Sequence, residues 1–132
     1  FVFLASQGYF DGITWHRVIP GFMAQTGDPT GTGSGGPGYT IPLEVNPALH
    51  YDKPGVLGMA RTSDPNSAGS QFFITFAPQP ALDSGYTIFG QVVRGMSVLQ
   101  QVATRTVDQN PNLPPGDTLI SVRTLDVTAS TS

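Results

Sequence analysis

The segment from Trp15 to Asp28 brings together residue types that could bind and polarise a peptide group. One cation, one amide and several apolar side chains stand there, the most informative being Arg17, Phe22, Met23 and Gln25. Further along the chain, a second amide stands directly before two aromatic residues in the run Gly69 to Ile74. An arginine stays charged and offers a rigid fork of donors, so such a cluster favours electrostatic stabilisation over proton transfer.

The chain is poor in residues for metal or nucleophilic catalysis. It has no cysteine and only two histidines, His16 and His50, which do not form an i, i+4 pair. It contains no G-x-S-x-G elbow, and Ser70 has no base close to it in the sequence. We therefore predict neither a metal site nor a hydrolase.

One stretch matches a dinucleotide-binding pattern. The run Gly31 to Gly36 satisfies G-x-G-x-x-G, but it follows a turn-like Asp28-Pro29 pair rather than a buried strand. Pro37 and Pro42 would prevent the helix that should hold a pyrophosphate. We interpret this run as a mobile surface loop and expect no cofactor.

Rotation about the bond before a proline requires no nucleophile, no metal and no proton shuttle. Its barrier of about 20 kcal/mol comes from amide resonance. As the amide twists, the prolyl nitrogen regains a lone pair, so a fixed guanidinium aimed at that nitrogen would stabilise the transition state more than either planar form. Acceleration by about five powers of ten corresponds to about 7 kcal/mol. One charge-assisted hydrogen bond supplies about 1.5 to 3 kcal/mol, so an apolar pocket must supply much of the rest.

Composition limits the class of protein without selecting one. With 132 residues, of which 39% are hydrophobic, we expect a single domain over residues 1–132. A net charge of -3 with only six Lys and Arg makes nucleic acid an unsuitable partner. No apolar run approaches the roughly 20 residues of a membrane span, and no signal peptide is visible. We expect a soluble domain without membrane contact, and the compartment, cytoplasmic or exported, stays open.

The 16 Gly and 12 Pro are interleaved with short apolar runs, a pattern typical of strands joined by turns. This spacing predicts an antiparallel barrel or sandwich. The predicted strands are Ile13 to Ile19, Phe22 to Thr26, Val56 to Arg61, Gln71 to Phe76, Thr87 to Val93 and Thr118 to Val127. The predicted helices are Phe1 to Gln7, ended by Gly8, and Met96 to Ala103. We expect a connecting loop from Thr104 to Asp117 and a frayed tail from Thr128.

The two informative segments resemble the cyclophilin family of peptidyl-prolyl cis/trans isomerases. The resemblance extends through Val56 to Ala60, Pro65-Asn66, Leu82-Asp83 and Phe89-Gly90. It implies a mainly β fold, an antiparallel cyclophilin-like β-barrel with one or two short α-helices. It also implies isomerisation of X-Pro bonds in unfolded or flexible protein clients, without a cofactor.

The resemblance also implies roles for individual residues. Arg17 would be the catalytic residue. We interpret His16, next to it, as a packed or hydrogen-bonding support rather than an acid or base. The implied substrate-binding residues are Phe22, Met23, Gln25, Ala60, Arg61, Gln71, Phe72, Leu82, Tyr86 and Phe89.

Three positions depart from the family pattern. Ala81 stands where many cyclophilins have a tryptophan, so any cyclosporin binding should be weak while peptide turnover should survive. Tyr86 stands where a histidine is common, and its ring and hydroxyl can still contact a substrate. Arg61 stands where an asparagine is frequent, and the added cation would favour acidic residues flanking the proline.

Cyclophilins open with a β-hairpin and part of a helix before the segment that matches Phe1. The chain therefore resembles a family member that lacks its first two strands, which a longer parent chain could carry. Without them, a barrel would expose two sheet edges unless another element covered the gap. A strand-swapped or misassembled fragment with little activity is one alternative.

Other readings of the same residues stay open. Arg17 could be an ordinary strand cation paired with a surface acid, the aromatic residues could be core, and Gln25 and Gln71 could satisfy backbone groups. For the whole protein, the alternative is a non-catalytic module that binds proline peptides or acts as a scaffold.

Overall fold

The computed structural model describes residues 1–102, 104–106 and 116–125. Its elements are mostly short strands with two short helices and one 3-10 turn, Pro80–Leu82. The helices are α1, Val2–Ser6, and α2, Met96–Leu99. The strands are β1 Ile13–Thr14, β2 Arg17–Ile19, β3 Met23–Thr26, β4 Val56–Met59, β5 Phe72–Thr75, β6 Ile88–Gln91, β7 Arg105–Thr106 and β8 Thr118–Leu119.

Every strand pairing among these residues is antiparallel, which confirms the predicted mainly β, barrel-like fold class. Six strands form one sheet in the order β6-β4-β5-β3-β2-β7, and β1 pairs separately with β8. Backbone hydrogen bonds between described residues do not join the two sheets into a closed ring. The single-domain interpretation stays a prediction.

Side chains alternate between the two faces of the six-stranded sheet, as the pleat of a strand requires. On one face lies the larger apolar cluster, which we call the main core, with Phe10, Trp15, Val18, Phe72 and Ile74 among its buried members. On the other face lies a smaller cluster, which we call the second cluster. Its buried members are Met23, Tyr51, Val56 and Phe73. All four residues of β5 are buried because both faces are covered.

Helix α1 ends as the sequence predicts. Gly8 has φ 72°, and its N–H donates to the carbonyl of Ala5 at 3.1 Å. The N–H of Tyr9 donates to the carbonyl of Leu4 at 3.1 Å, which completes a Schellman motif. Leu4 and Ala5 are buried in the main core, so the cap fixes how α1 covers it.

The predicted strand Ile13 to Ile19 is two strands, β1 and β2. Trp15 and His16 are both buried, so the alternation of exposed and buried side chains breaks between them. The N–H of Trp15 donates to the carbonyl of Asp117 at 2.9 Å, which keeps the chain beside β8 up to that point. After His16 the chain enters the larger sheet, where β2 pairs with β3 and β7.

Near the C-terminus, the structure differs from the sequence predictions for one loop, one strand and one helix. The predicted loop from Thr104 contains β7, whose residues pair with Arg17 and Val18. The predicted strand Thr118 to Val127 is a strand only at β8, and its last two residues lie outside the described ones. Helix α2 is shorter than predicted, and Ala103 lies outside the described residues. In the described part of the chain, no helix is long and apolar enough to cross a bilayer.

Candidate functional site

Arg17 and Gln25 lie directly opposite each other on β2 and β3. Pro20 and Gly21 form the turn between these strands, and the register also pairs Ile19 with Met23. Residues opposite each other on neighbouring antiparallel strands project to the same face. The guanidinium and the carboxamide therefore lie side by side on the face of the second cluster.

The Arg17 guanidinium forms no ion pair with any described residue. Its Nε is buried and has no hydrogen-bond partner in the described part of the structure. The two ion pairs found among the described residues involve other cations, His50 and Arg123. A buried donor without a partner costs about 1 to 3 kcal/mol. This geometry does not fit a strand cation paired with a surface acid.

Two carboxamides form a hydrogen-bonded pair beside Arg17. Gln25 Nε2 donates to Gln71 Oε1 at 3.0 Å. Gln71 Nε2 in turn donates to the carbonyls of Gly33 and Gly35, at 2.9 Å each. The orientation of the Gln71 amide is thus defined at both its nitrogen and its oxygen.

An apolar surface adjoins these polar groups. Met23 and Phe73 are 2% and 5% exposed and form its floor. Four of the predicted substrate-binding residues are half-buried against that floor: Phe22, Ala60, Leu82 and Tyr86. The Tyr86 ring meets the Phe73 ring edge to face, with centroids 6.0 Å apart.

The structure does not bring Phe72 and Phe89 to this surface. Both pack in the main core, where their ring centroids are 6.2 Å apart. Phe72 also contacts the rings of Phe10 and Trp15 edge-on. The pleat of β5 sends Phe72 to one face and Phe73 to the other. Strand alternation from Gln71 would have selected Phe73, so the signal was present in the sequence.

Tyr51 is a buried member of the second cluster. Sequence patterns do not identify it, because it lies in a long segment without regular structure. Its ring stacks on Phe73 at 5.7 Å, and its hydroxyl donates to the carbonyl of Tyr86 at 3.1 Å. Burial and the nearby Asp83 carboxylate raise the pKa of Tyr51 far above its usual range. Tyr51 therefore stays neutral and holds the Tyr86 segment against the cluster.

The Asp83 carboxylate fixes the other end of this segment. It accepts hydrogen bonds from the Tyr51 N–H at 2.7 Å and from His50 Nδ1 at 3.0 Å. The Tyr51 N–H, followed by His50, lowers the pKa of Asp83 below its ordinary value. Because Leu82 precedes Asp83, these bonds position Leu82 beside the apolar surface.

Arg61 lies at the edge of the same surface. Its guanidinium carbon is 4.9 Å from the centroid of the Tyr86 ring, a cation-π distance. Its Nε donates to the carbonyl of Gly85 at 2.6 Å, and one terminal nitrogen donates to the carbonyls of Thr62 and Ser63. These contacts hold the cation next to Tyr86 rather than in bulk solvent.

A groove of about 830 Å³ runs beside the site. It shares Gln25, Ala60, Arg61 and Gln71 with the site, and its far wall is the glycine-rich segment 33–38. Arg61 is the one charged residue among those that line it. An extended peptide lying across Arg17 could place a neighbouring side chain in this groove.

His16 lies beneath the glycine-rich loop, close to Gly33. His16 is 1% exposed, and its ring lies within ordinary contact distance of the Cβ that Gly33 would carry. This position beneath the glycine-rich loop fits a support, although the supporting role stays a prediction. Among the described residues, no group of three or more His, Cys, Asp or Glu could hold a metal ion.

The chain matches known proteins over most of its length. The family model for "Cyclophilin type peptidyl-prolyl cis-trans isomerase/CLD" matches residues 1–124. A "Peptidyl-prolyl cis-trans isomerase-like 1" of Aspergillus niger is 45% identical over 131 residues, which cover 97% of this chain and 80% of that protein. The "Peptidyl-prolyl cis-trans isomerase ppi1" of Schizosaccharomyces pombe is 48% identical, over 83% of this chain and 72% of that protein.

Solved structures similar to this chain belong to the same family as these relatives. A cyclophilin of Cryptosporidium parvum superposes with a TM-score of 0.79 at 35% identity, covering 96% of this chain and 82% of that one. A second structure, crystallised in the presence of the dipeptide Ala-Pro, gives a TM-score of 0.72 at 42% identity, covering 76% and 68%. The chain belongs to the cyclophilin-type peptidyl-prolyl cis-trans isomerases.

Proposed function

We propose that this isomerase acts by electrostatic stabilisation of a twisted amide at Arg17, on X-Pro bonds in unfolded or flexible segments. The observation that carries the proposal is the position of Arg17 opposite Gln25, on the face that bears Met23 and Phe73, without an ion pair of its own. A guanidinium without a competing carboxylate is available to a nitrogen that gains a lone pair only as the bond rotates.

The apolar surface would confine the proline ring. Met23 and Phe73 form its floor, with Phe22 and Leu82 beside them. Removal of a pyrrolidine ring from water onto such a surface contributes at about 25 cal/mol per Å² of apolar area. The amide pair Gln25 and Gln71 would anchor the substrate carbonyl next to the rotating bond. Phe73 takes the place that the sequence assigned to Phe72.

The remaining substrate contacts are assigned to Ala60, Arg61 and Tyr86. Backbone groups near Ala60 would bind the extended peptide, although the Ala60 N–H itself already donates to the carbonyl of Gln71 at 3.0 Å. Arg61 would favour an acidic residue next to the proline. Because Ala81 supplies neither an indole ring nor an indole N–H, we expect only weak cyclosporin binding.

Proline-containing peptides are the ligands this site fits, and unfolded clients are the proposed source of them. Support comes from the solved Cryptosporidium parvum relative that was crystallised in the presence of Ala-Pro. An accessible X-Pro bond is found mainly in flexible segments, where cis and trans forms exchange slowly without a catalyst. A role in protein folding follows from this substrate class.

Exchange spectroscopy on a short Ala-Pro peptide tests the proposal. Wild-type protein should accelerate cis/trans exchange, and Arg17→Ala should lower kcat/KM by about 10² to 10³, as for loss of one preorganised donor. Peptide affinity should change much less. Arg94→Ala, which removes an exposed arginine from another part of the molecule, should behave as wild type.

The same experiment separates catalysis from binding alone. A non-catalytic module would shift the peptide resonances without accelerating exchange. If Arg17→Ala retained the wild-type rate, another group would have to stabilise the twisted amide and the mechanism would be wrong.

A further inference from the structure

Asp28 is a buried carboxylate with an unusually large set of donors. It is 0% exposed, and its Oδ1 accepts from the N–H and the hydroxyl of Thr30 at 2.8 and 2.7 Å. Its Oδ2 accepts from the N–H groups of Gly33, Gly35 and Thr32 at 2.7, 3.0 and 3.2 Å. The loop that follows is therefore wrapped around one side chain. Its position on the surface agrees with the sequence analysis, whereas this anchor was not foreseen.

The anchored loop reaches the site through its carbonyls. The same Gly33 and Gly35 that donate to Asp28 accept from Gln71 Nε2, at 2.9 Å each. Gln71 Oε1 then accepts from Gln25 Nε2, opposite Arg17. Successive hydrogen bonds thus connect a carboxylate outside the apolar surface to the carboxamide beside the guanidinium.

We propose that Asp28 is a positioning residue for isomerisation, acting through the loop carbonyls of Gly33 and Gly35 and then through Gln71 on Gln25. The inference rests on the proposed role of Arg17 and Gln25. Asp28 touches no substrate; it fixes the two carbonyls that decide which way the Gln71 amide faces.

The physical basis is the symmetry of a carboxamide. The oxygen and the NH2 group of glutamine occupy nearly the same volume, so only hydrogen-bond partners define their order. The carbonyls of Gly33 and Gly35 can only accept hydrogen bonds, so the Gln71 NH2 group must face them. Its oxygen must then face Gln25. If the loop moved, Gln71 could rotate, and the Gln25 amide would lose its fixed partner.

Close packing makes the loop sensitive to small changes. A Cβ added to Gly35 would collide with Asp28 Oδ1 and would approach Thr30 Oγ1 to 2.9 Å. Hydrogen bonds from Gly35, Thr30 and Gly33 also outweigh burial and lower the pKa of Asp28 to about 2, so the anchor is ionised under ordinary conditions. Gly35→Ala is therefore a second way to displace the carbonyls, by steric collision, while the Asp28 carboxylate itself is retained.

A double-mutant cycle tests the proposal. In the wild-type background, Asp28→Asn should lower kcat/KM by about 10 to 100-fold, the range expected for misplacement of a group near the reacting bond. In the Gln71→Ala background, the same substitution should cause no further loss, because the connection is already broken. Asp64→Asn is the matched control, since Asp64 also accepts a backbone N–H in a turn, from Asn66 at 2.9 Å, but is exposed.

Three outcomes decide it. Loss in the wild-type background alone supports the proposal, and equal loss in both backgrounds, or no loss, overturns it. If Asp28→Asn does not fold, the cycle is run with Gly35→Ala and is read in the same way. The side-chain NH2 resonances of Gln71 should shift in Asp28→Asn without any peptide present. That readout does not depend on turnover, so failure of this inference is distinct from failure of the role of Arg17.

Discussion

The two faces of the six-stranded sheet are built on different principles. The main core is held by aromatic contacts, such as the edge-on contact of Phe72 with Phe10 at 5.5 Å. The second cluster adjoins the Arg17 guanidinium with a buried, unpartnered Nε and a chain of amides that ends at Asp28. The main core is thus built from apolar packing, whereas the face of the second cluster combines apolar packing with polar groups that lie beside it.

The steric tolerance of glycine should differ most between the faces. A Cβ on Gly58 would collide with the Tyr51 hydroxyl and the Phe73 ring, whereas one on Gly90 would lie 3.3 Å from the flexible Leu57 side chain. We expect Gly58→Ala to lower the free energy of unfolding by about 3 kcal/mol, as for an overpacked core. Gly90→Ala should change it by less than about 1 kcal/mol. Urea denaturation of both variants makes this comparison, and equal losses would contradict it.

Buried threonines offer the next comparison. On the face of the second cluster, Thr75 Oγ1 accepts from the Val56 N–H and donates to the Lys53 carbonyl, both at 3.1 Å. On the other face, Thr26 Oγ1 donates to the Thr14 carbonyl at 2.8 Å. Thr75→Val should cost about 2 kcal/mol and Thr26→Val about 1 kcal/mol, because they leave two and one backbone groups unpaired. The measurement is thermal or chemical denaturation of both variants. A larger loss of stability for Thr26→Val than for Thr75→Val would contradict the prediction.

The third comparison is a pH dependence that comes from Asp28. The folded-state pKa of Asp28, about 2, lies below its ordinary value of 3.8. The stabilisation it provides should be complete above about pH 4 and should be lost as the pH falls through 2. In Asp28→Asn, the unfolding midpoint should fall less steeply between pH 4 and pH 2 than in wild type. Asp64→Asn should keep the wild-type slope, and parallel slopes for all three proteins would contradict the prediction.

The sequence predicted the parts of the site that depend on local order. Arg17 and Gln25 lie on two strands joined by a short Pro-Gly turn, so their pairing follows from an ordinary hairpin. The break at Trp15 was missed because two consecutive buried residues leave no periodicity to read. The family resemblance points to Phe72, whereas strand alternation points to Phe73.

Long-range contacts were beyond the sequence for a physical reason. Tyr51 stacks on Phe73 and reaches the carbonyl of Tyr86, but nothing in its own neighbourhood distinguishes it from a surface tyrosine. The Asp28-Pro29 pair predicts the start of a turn, and a turn does begin at Asp28, where its carbonyl accepts from the Gly31 N–H at 3.0 Å. Its connection to Gln71 requires the loop to fold back onto the residue that precedes β5, a tertiary contact that local patterns do not encode.

The most direct test of which face carries catalysis is the kcat/KM of Phe72→Leu and Phe73→Leu, measured on an Ala-Pro peptide and corrected for the folded fraction. Both residues are buried, 4% and 5% exposed, so both variants should lose stability to a similar degree. Phe73→Leu should lower kcat/KM by about tenfold or more, as expected when an apolar pocket loses volume. Phe72→Leu should stay within about twofold of wild type. If Phe72→Leu instead caused the larger loss, the site would lie on the other face of the sheet and the account would be wrong.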